Sequence, residues 1–284
     1  MIIWLSSYPK SGNTWIRFFL VSLFFSGRKV NLNHLKKIIN FPNRSHFTNL
    51  ISNFDDISQV GKNWLNAQRI LNEDKKVKIF KTHNMLCRYK NNFFTDSENT
   101  LATIHVIRDP RNVITSLKNH YNFKDLNITK NFLFNDKQII TLSKIQKEKK
   151  LSEHPLPQII GSWKSHYQSW RNMKKNKLLI KYEDLLSNSE NEFFKIATFI
   201  SKFTKTNFNK DQILHAIKSS SFENLKGMEK EHGFTESTYN SKTGKKNTFF
   251  NLGPKNDWEK ILDKEITNEI NSRFEPEMKE LGYL

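Results

Sequence analysis

Cysteine is almost absent from the sequence. Cys87 is the single cysteine among 284 residues, so a disulfide within the chain and a zinc site built on cysteines are both excluded. Long hydrophobic runs are also missing. The most apolar stretch, residues 16–25, carries Arg17 and is about half as long as the ~20 residues of a membrane-spanning helix. No signal peptide is visible before the first apolar residues, so the default expectation is a cytoplasmic protein without a transmembrane segment.

Acidic residues are few compared with basic ones. There are 28 Asp and Glu against 46 Lys and Arg, which gives a formal net charge of +18. Such a surface attracts anions, from nucleotides and acidic glycans to anionic membranes and nucleic acids, although the same excess also suits an ordinary solvated surface. Hydrophobic residues make up 37% of the chain and Phe alone occurs 23 times. This composition is enough for a packed core and excludes a disordered chain.

The order of the predicted elements indicates the fold class. Apolar runs typical of buried strands lie at residues 2–6, 76–80, 101–107 and 177–181, and helical patterns lie at 111–121, 190–203 and 261–273. Strands that alternate with helices predict an α/β fold, with a central parallel sheet and helices on both faces. Without a clear domain boundary, we expect a single domain over residues 1–284, in which segments 136–158 and 227–253 are substrate or cofactor loops.

The first candidate site follows the first strand, where the sequence reads YPKSGNTW. A helix that begins here, capped by Ser11 or Asn13, would present unpaired N–H groups and partial positive charge to an anion. Gly12 allows the backbone to approach the ligand, Lys10 adds a full charge, and the hydroxyls of Ser11 and Thr14 are further donors. Because the Lys precedes the Gly, this is not the G-x-x-x-x-G-K-[ST] loop that binds a magnesium-bound triphosphate.

The second candidate site follows the clearest strand, where the sequence reads VIRDPRNVITSLKNHY. Asp109 and Pro110 suit the cap and the first turn of a helix. Arg108 at the strand end can bind a phosphate through two hydrogen bonds, and Ser116 lies about two helical turns further on. Both candidate sites would lie at the carboxyl edge of the sheet, where α/β folds bind nucleotides.

A candidate catalytic histidine follows the second predicted strand, in the tripeptide KTH. At the carboxyl edge of the sheet, His83 could take a proton near neutral pH. Lys81 could stabilise negative charge on a transferred group or on its leaving oxygen. Of the other histidines, we expect His105 to pack inside the third strand and His120 to lie past the second anion site.

These three segments together resemble the PAPS-dependent sulfotransferase family, where PAPS is 3′-phosphoadenosine 5′-phosphosulfate. The first segment is similar to the family's 5′-phosphosulfate loop, with Asn13 where the family usually has Thr. The resemblance implies that Arg108 and Ser116 bind the 3′-phosphate and that His83 deprotonates the acceptor. It also implies a P-loop-like fold and a 5′-phosphate loop made of Lys10, Ser11, Gly12, Asn13, Thr14 and Trp15, in which Lys10 also touches the bridging oxygen.

Later segments resemble the same family more weakly. The resemblance implies that Tyr182 contacts the adenine, that Phe222 stacks on it, and that Gly253 belongs to the loop that reaches the 3′-phosphate. The basic pair that the family has in this loop is replaced here by Asn251 and Leu252. We hypothesise that a lysine of the same loop supplies the missing charge; the candidates are Lys245, Lys246 and Lys255.

The sequence therefore predicts a sulfotransferase that moves a sulfuryl group from PAPS to a hydroxyl or amine acceptor and releases PAP, the desulfated 3′,5′-bisphosphate, without a metal ion. The acceptor is expected to be a small molecule or a glycan, with no specific nucleic acid as partner. Two alternatives stay open: a P-loop-type nucleotide kinase and a non-catalytic protein that binds anions or RNA. Neither the acceptor nor the oligomeric state follows from the sequence.

Overall fold

Four parallel strands form the centre of the molecule. The computed structural model describes residues 1–25, 30–142, 155–240 and 243–284. The strand order in the sheet is β2-β1-β5-β8. The bounds are β1 Ile2–Ser7, β2 Lys78–Thr82, β5 Thr100–Ile107 and β8 Asn176–Lys181. All four strands were predicted from the sequence, and β2 begins two residues later than expected.

Helices and short strands surround this sheet. The α-helices of the described residues are Asn13–Phe24, Ile57–Lys62, Trp64–Asn72, Pro110–Tyr121, Leu126–Phe134, Trp163–Arg171, Tyr182–Ser187, Ser189–Thr204, Lys210–Ser219, Phe222–His232, Trp258–Ile261 and Lys264–Glu280. Two short antiparallel pairs join β3 (Arg88–Tyr89) to β4 (Asn92–Phe93), and β6 (Ile139–Ile140) to β7 (Gln158–Ile159). The predicted α/β class with helices on both faces of a parallel sheet is confirmed.

The two central strands, β1 and β5, are buried because hydrophobic side chains cover both faces of the sheet. All six residues of β1 are buried. Ile3 and Leu5 pack in one cluster with the helices Asn13–Phe24 and Ser189–Thr204, while Trp4 packs in another with Phe41 and Phe94. Near-continuous apolar strands of this kind are typical of parallel sheets covered on both sides.

The helix starts explain how two of the predicted sites form. Asp109 caps the helix Pro110–Tyr121, because its carboxylate accepts a hydrogen bond from the Arg111 N–H at 2.8 Å, as predicted. The expectation that Ser11 or Asn13 caps the first helix is wrong. Gly12 occupies the N-cap position with φ of 102° and no side chain caps this end. The Trp15 N–H donates to the Gly12 carbonyl at 3.0 Å, so the backbone N–H groups at the start of the turn, on Asn13 and Thr14, are those that can face a ligand.

Three other predicted bounds need correction. The helix expected over 261–273 is two helices, Trp258–Ile261 and Lys264–Glu280, because Asp263 caps a new start by accepting from the Ile266 N–H at 2.8 Å. The predicted loop 227–253 begins only after the helix Phe222–His232, whose Leu225 is buried in the core. The predicted loop 136–158 contains the short strand β6, and its residues 143–154 lie outside the described residues.

The sheet register brings the predicted site residues together. Ser6 of β1 lies beside Thr82 of β2, and Ser7 beside Val106 of β5. Ile107 of β5 lies beside Lys181 of β8. The segments that follow the four strands therefore emerge side by side at one edge of the sheet.

Within the described residues, no helix is both long enough and apolar enough to cross a membrane.

Candidate active site

A cavity of about 260 Å³ opens at the carboxyl edge of the sheet. Its wall is contributed by the segments that follow β1, β2, β5 and β8, together with residues of segment 233–254. The predicted site residues that line it are Lys10, Gly12, Asn13, Thr14, Trp15, Lys81, His83, Arg108, Ser116, Tyr182, Phe222 and Gly253. Ser11 is the one predicted site residue that does not line the cavity, and its side chain is fully buried.

The loop after β1 is shaped for an anion. Lys10 and Gly12 both have positive φ, 68° and 102°, and a Cβ added at Gly12 would lie 2.6 Å from the Tyr182 ring. The glycine is therefore required by both backbone conformation and space. The indole N–H of Trp15 is buried and has no hydrogen-bond partner among the described residues, which leaves a donor for a ligand at the helix start.

The Lys10 ammonium is held in an unusual environment. Its Nζ lies 3.6 Å from the centroid of the Phe249 ring. Burial, and then the nearby charge of Arg108, lowers the pKa of Lys10 to about 7. An anion placed in this cavity would favour the charged form of Lys10 again.

Arg108 joins the second predicted site to the first. Its guanidinium donates to the Ser116 Oγ at 3.4 Å and to the backbone carbonyl of Lys10 at 3.3 Å, and it stacks 4.1 Å above the Tyr182 ring. The Arg108 Nε is buried without a partner among the described residues. Trp163 fixes the backbone here by donating its indole N–H to the Arg108 carbonyl at 3.0 Å. The two anion motifs therefore share one cavity.

His83 is oriented as a neutral base. Its Nδ1 donates to the carbonyl of Ser7 at 2.8 Å, which leaves Nε2 unprotonated on the neutral ring. The Gln158 side chain accepts from the His83 backbone N–H at 2.8 Å. Burial, and then the charge of Lys81, lowers the pKa of His83 to about 3, so the imidazole is neutral at physiological pH.

The cavity contains a carboxylate that sequence reasoning missed. Lys81 Nζ lies 2.7 Å from the Glu236 carboxylate, and the guanidinium of Arg17 bonds to the same carboxylate. Burial alone would raise the pKa of Glu236, but the charges of Arg17 and Lys81 outweigh that effect and hold it well below its usual range. The pattern FTEST around Glu236 carries no signal that would place it beside the KTH segment.

The two predicted adenine residues lie in different parts of the wall: Tyr182 lies against Gly12 and Phe222 against Gly253. Phe222 packs so closely on Gly253 that an added Cβ would lie 2.2 Å from its ring. Asn256 donates to the Ser116 Oγ at 3.2 Å and accepts from the Thr115 hydroxyl at 2.7 Å. Asn256 thus orients Ser116, a role that no local sequence pattern predicts.

The structure corrects two expectations, one about the position of His120 and one about three lysines of the C-terminal loop. His105 is buried, as predicted, but His120 lines the cavity rather than lying past it. The three lysines proposed to replace the family's basic pair, Lys245, Lys246 and Lys255, do not line the cavity. Lys226, on the helix Phe222–His232, reaches the carbonyl of Asn251 at 3.5 Å.

Within the described residues, no group of three or more His, Cys, Asp or Glu side chains could hold a metal ion.

This arrangement is typical of one class of protein: an α/β enzyme with a ligand cavity at the carboxyl edge of a parallel sheet, lined here by the two anion motifs and a neutral histidine. The chain belongs to the sulfotransferase domain family, whose model matches residues 2–282. It is thus a PAPS-dependent sulfotransferase, and this decides against the kinase and the non-catalytic alternatives.

Individual relatives are distant. The chain is 24% identical over 225 residues to a 3-beta-hydroxysteroid sulfotransferase of Cavia porcellus, covering 76% of this chain and 69% of that protein. The fold is similar to mouse sulfotransferase SULT7A1 complexed with PAP (TM-score 0.57, 18% identity, covering 98% of this chain and 84% of that one). It is also similar to retinol dehydratase complexed with androsterone and PAP (TM-score 0.61, 15% identity, covering 98% and 80%).

Proposed function

We propose that this protein binds PAPS across the cavity and transfers its sulfuryl group to a hydroxyl or amine of a small-molecule acceptor. The observation that supports this most strongly is the meeting of the two anion motifs: the Arg108 guanidinium donates to the Lys10 carbonyl at 3.3 Å. The neutral imidazole of His83 lines the same cavity. Two separate motifs that converge on one cavity fit a ligand with phosphates at both ends.

The donor is placed by the charge and the aromatic groups of the wall. The 5′-phosphosulfate lies on the loop of residues 10–15, where helix N–H groups and Lys10 favour an anion. The 3′-phosphate is bound by Arg108 and by Ser116, which Asn256 holds in place. The adenine lies between Tyr182 and Phe222, since flat rings stack on aromatic faces. The buried Nε of Arg108, which has no partner in the described part of the chain, is a further donor for the 3′-phosphate.

The proposed transfer proceeds in line at sulfur. His83 Nε2 takes the proton of the acceptor hydroxyl or amine as the acceptor atom forms a bond to sulfur. The bond between sulfur and the bridging oxygen breaks, and its electron pair stays with that oxygen on the departing PAP. Lys10 stabilises the charge on the bridging oxygen, and Lys81 stabilises the equatorial oxygens of the sulfuryl group. Positioning and electrostatics supply most of the catalysis in such group transfers.

The acceptor side of the cavity favours a small apolar molecule over a glycan. The wall contributed by residues 140–142 and 155–156 carries Ile140, Leu142 and Leu156, which suit an apolar body better than a sugar. The guinea pig relative is named for a hydroxysteroid, and retinol dehydratase has been solved with androsterone and with retinol. We therefore expect the acceptor to be a compact alcohol, phenol or amine with an apolar skeleton.

Turnover of labelled PAPS against a panel of sterols, phenols, amines and oligosaccharides tests this function. We expect transfer to at least one apolar alcohol or phenol, and replacing His83 with alanine should lower kcat about 10²–10⁴-fold while PAP still binds. His215→Ala, at an exposed histidine, is the matched control and should keep full turnover. Normal turnover by His83→Ala would remove His83 from the role of base, and transfer to oligosaccharides alone would contradict the acceptor class.

A further inference from the structure

A buried ion triad links three parts of the chain beside the catalytic histidine. Arg17 lies on the first helix, Lys81 is the last but one residue of β2, and Glu236 belongs to segment 233–240. The Glu236 carboxylate bonds to both cations, to Lys81 Nζ at 2.7 Å and to the guanidinium of Arg17. The Arg17 side chain is fully buried and that of Lys81 is 9% exposed.

The negative charge of Glu236 opposes the donor, so its presence here requires a reason. A carboxylate in a cavity that must accept a bisphosphate lowers affinity through like-charge repulsion. Arg17 pairs with Glu236 but does not draw the carboxylate out of the cavity. The Arg17 Nη2 donates to the Leu35 carbonyl at 3.0 Å, which keeps the guanidinium in place, and a buried guanidinium needs a counter-ion beside it. Glu236 is therefore held in the cavity by Arg17, and its second oxygen is directed at Lys81.

We propose that Glu236 is a positioning residue for sulfuryl transfer. Its carboxylate restricts the Lys81 ammonium to one position in the cavity that His83 also lines. A lysine on a flexible four-carbon stem has many rotamers. One charge-assisted bond to an anchored carboxylate restricts them before the donor arrives. An ammonium group has three N–H donors, so a bond to Glu236 is compatible with a contact between Lys81 and a sulfuryl oxygen. The inference rests on the proposed role of Lys81 in transfer.

The residues next to Glu236 do not depend on Glu236 alone for their position. The Glu229 carboxylate, on the helix Phe222–His232, accepts from the backbone N–H groups of Phe249 and Phe250 at 2.7 and 2.8 Å, and from the Ser237 hydroxyl at 2.7 Å. These bonds hold Ser237, the residue that follows Glu236, and residues 249–250 against the same carboxylate. A variant at Glu236 can therefore keep the segment over the cavity, and its effect on transfer can be separated from an effect on folding.

Glu236→Gln, Lys81→Met and the double variant test this inference. We expect Glu236→Gln to lower kcat about 10- to 100-fold, the range typical of groups that orient functional residues, while PAP affinity is unchanged or higher because a repelling charge is lost. In the Lys81→Met background the same change should lower kcat no further. Glu231→Gln, at an exposed carboxylate, is the matched control.

Glu236→Asp guards against loss of the fold, since it keeps a negative charge near Arg17 but shortens the reach to Lys81. Its turnover should lie between those of wild type and Glu236→Gln, with an unchanged melting temperature. Full turnover by Glu236→Gln, or an equal loss of kcat with and without Lys81, would overturn the positioning role. Full turnover by Lys81→Met would instead refute the proposed function of Lys81 itself.

Discussion

At the scale of single residues, the cavity wall carries two neighbouring cations, Lys10 and Arg108, that favour a bound anion. Lys10 is buried beside Arg108, and both effects lower its pKa to about 7. Two like charges this close favour a ligand that carries the opposite sign. The aromatic rings of Phe249 and Tyr182 partly compensate, because each lies against one cation.

The lowered pKa of Lys10 predicts a pH dependence of donor binding. In the free protein Lys10 is charged below about pH 7, and its charge is lost as pH rises through that value. A bound phosphate raises this pKa again, so binding takes up a proton and affinity falls by up to about tenfold per pH unit above 7. Calorimetric titration of PAP from pH 6.5 to 9 measures this slope.

Lys10→Arg is the control for this slope, because a guanidinium stays charged throughout the range. Its affinity for PAP should be lower than that of wild type but level from pH 7 to 9. A wild-type affinity that is also level over this range would show that Lys10 does not titrate in the site.

At the scale of elements, glycine–aromatic contacts fix how loops meet helices around the donor. Gly12 lies against Tyr182 and Gly253 against Phe222. Both glycines have positive φ, where a side chain is strained whatever the space. These contacts join the loop after β1 to the segment after β8, and the helix Phe222–His232 to the loop around residue 253.

Gly12→Ala should destabilise the protein by about 1–3 kcal/mol, the range for strained backbone positions, and should weaken PAP binding because the Tyr182 ring must move. Gly227→Ala is the matched control. Gly227 lies inside a helix with no atom within 4 Å of an added Cβ, so alanine should stabilise by about 0.5–1 kcal/mol. Urea unfolding of both variants measures the change in the free energy of unfolding. Changes of similar size and the same sign in both variants would contradict the proposed strain at Gly12.

Local patterns were enough to predict the elements that carry the two proposed phosphate sites. The buried strand β1, the cap at Asp109 and the glycine at position 12 each have a signal within a few residues. The contribution of Glu236 could not be predicted, because segment 233–250 reaches the cavity through long-range contacts made by Glu229. His120 was misplaced for a similar reason: whether it faces the cavity depends on packing against Phe249 from that same segment.

At the scale of the whole molecule, the net charge of +18 and the cationic cavity act together on anions. A positive field raises the encounter rate with any polyanion, but only a ligand that fits both phosphate sites should stabilise the fold. At about 100 times its dissociation constant, PAP should add about 2.7 kcal/mol to the free energy of unfolding and raise the melting temperature by several degrees. ATP with magnesium at the same concentration should add much less; equal shifts would contradict recognition of the 3′-phosphate.

The most direct measurement compares the affinities of PAP and adenosine 5′-monophosphate for wild type and for Arg108→Ala. The two ligands differ by the 3′-phosphate, and charge-assisted bonds of about 1.5–3 kcal/mol predict that wild type prefers PAP by roughly 10- to 100-fold. Arg108→Ala should reduce this preference to within about threefold, whereas Arg69→Ala, at an exposed arginine, should preserve it. An Arg108→Ala protein that still prefers PAP as strongly as wild type would contradict the claim that the two anion motifs bind opposite ends of one nucleotide.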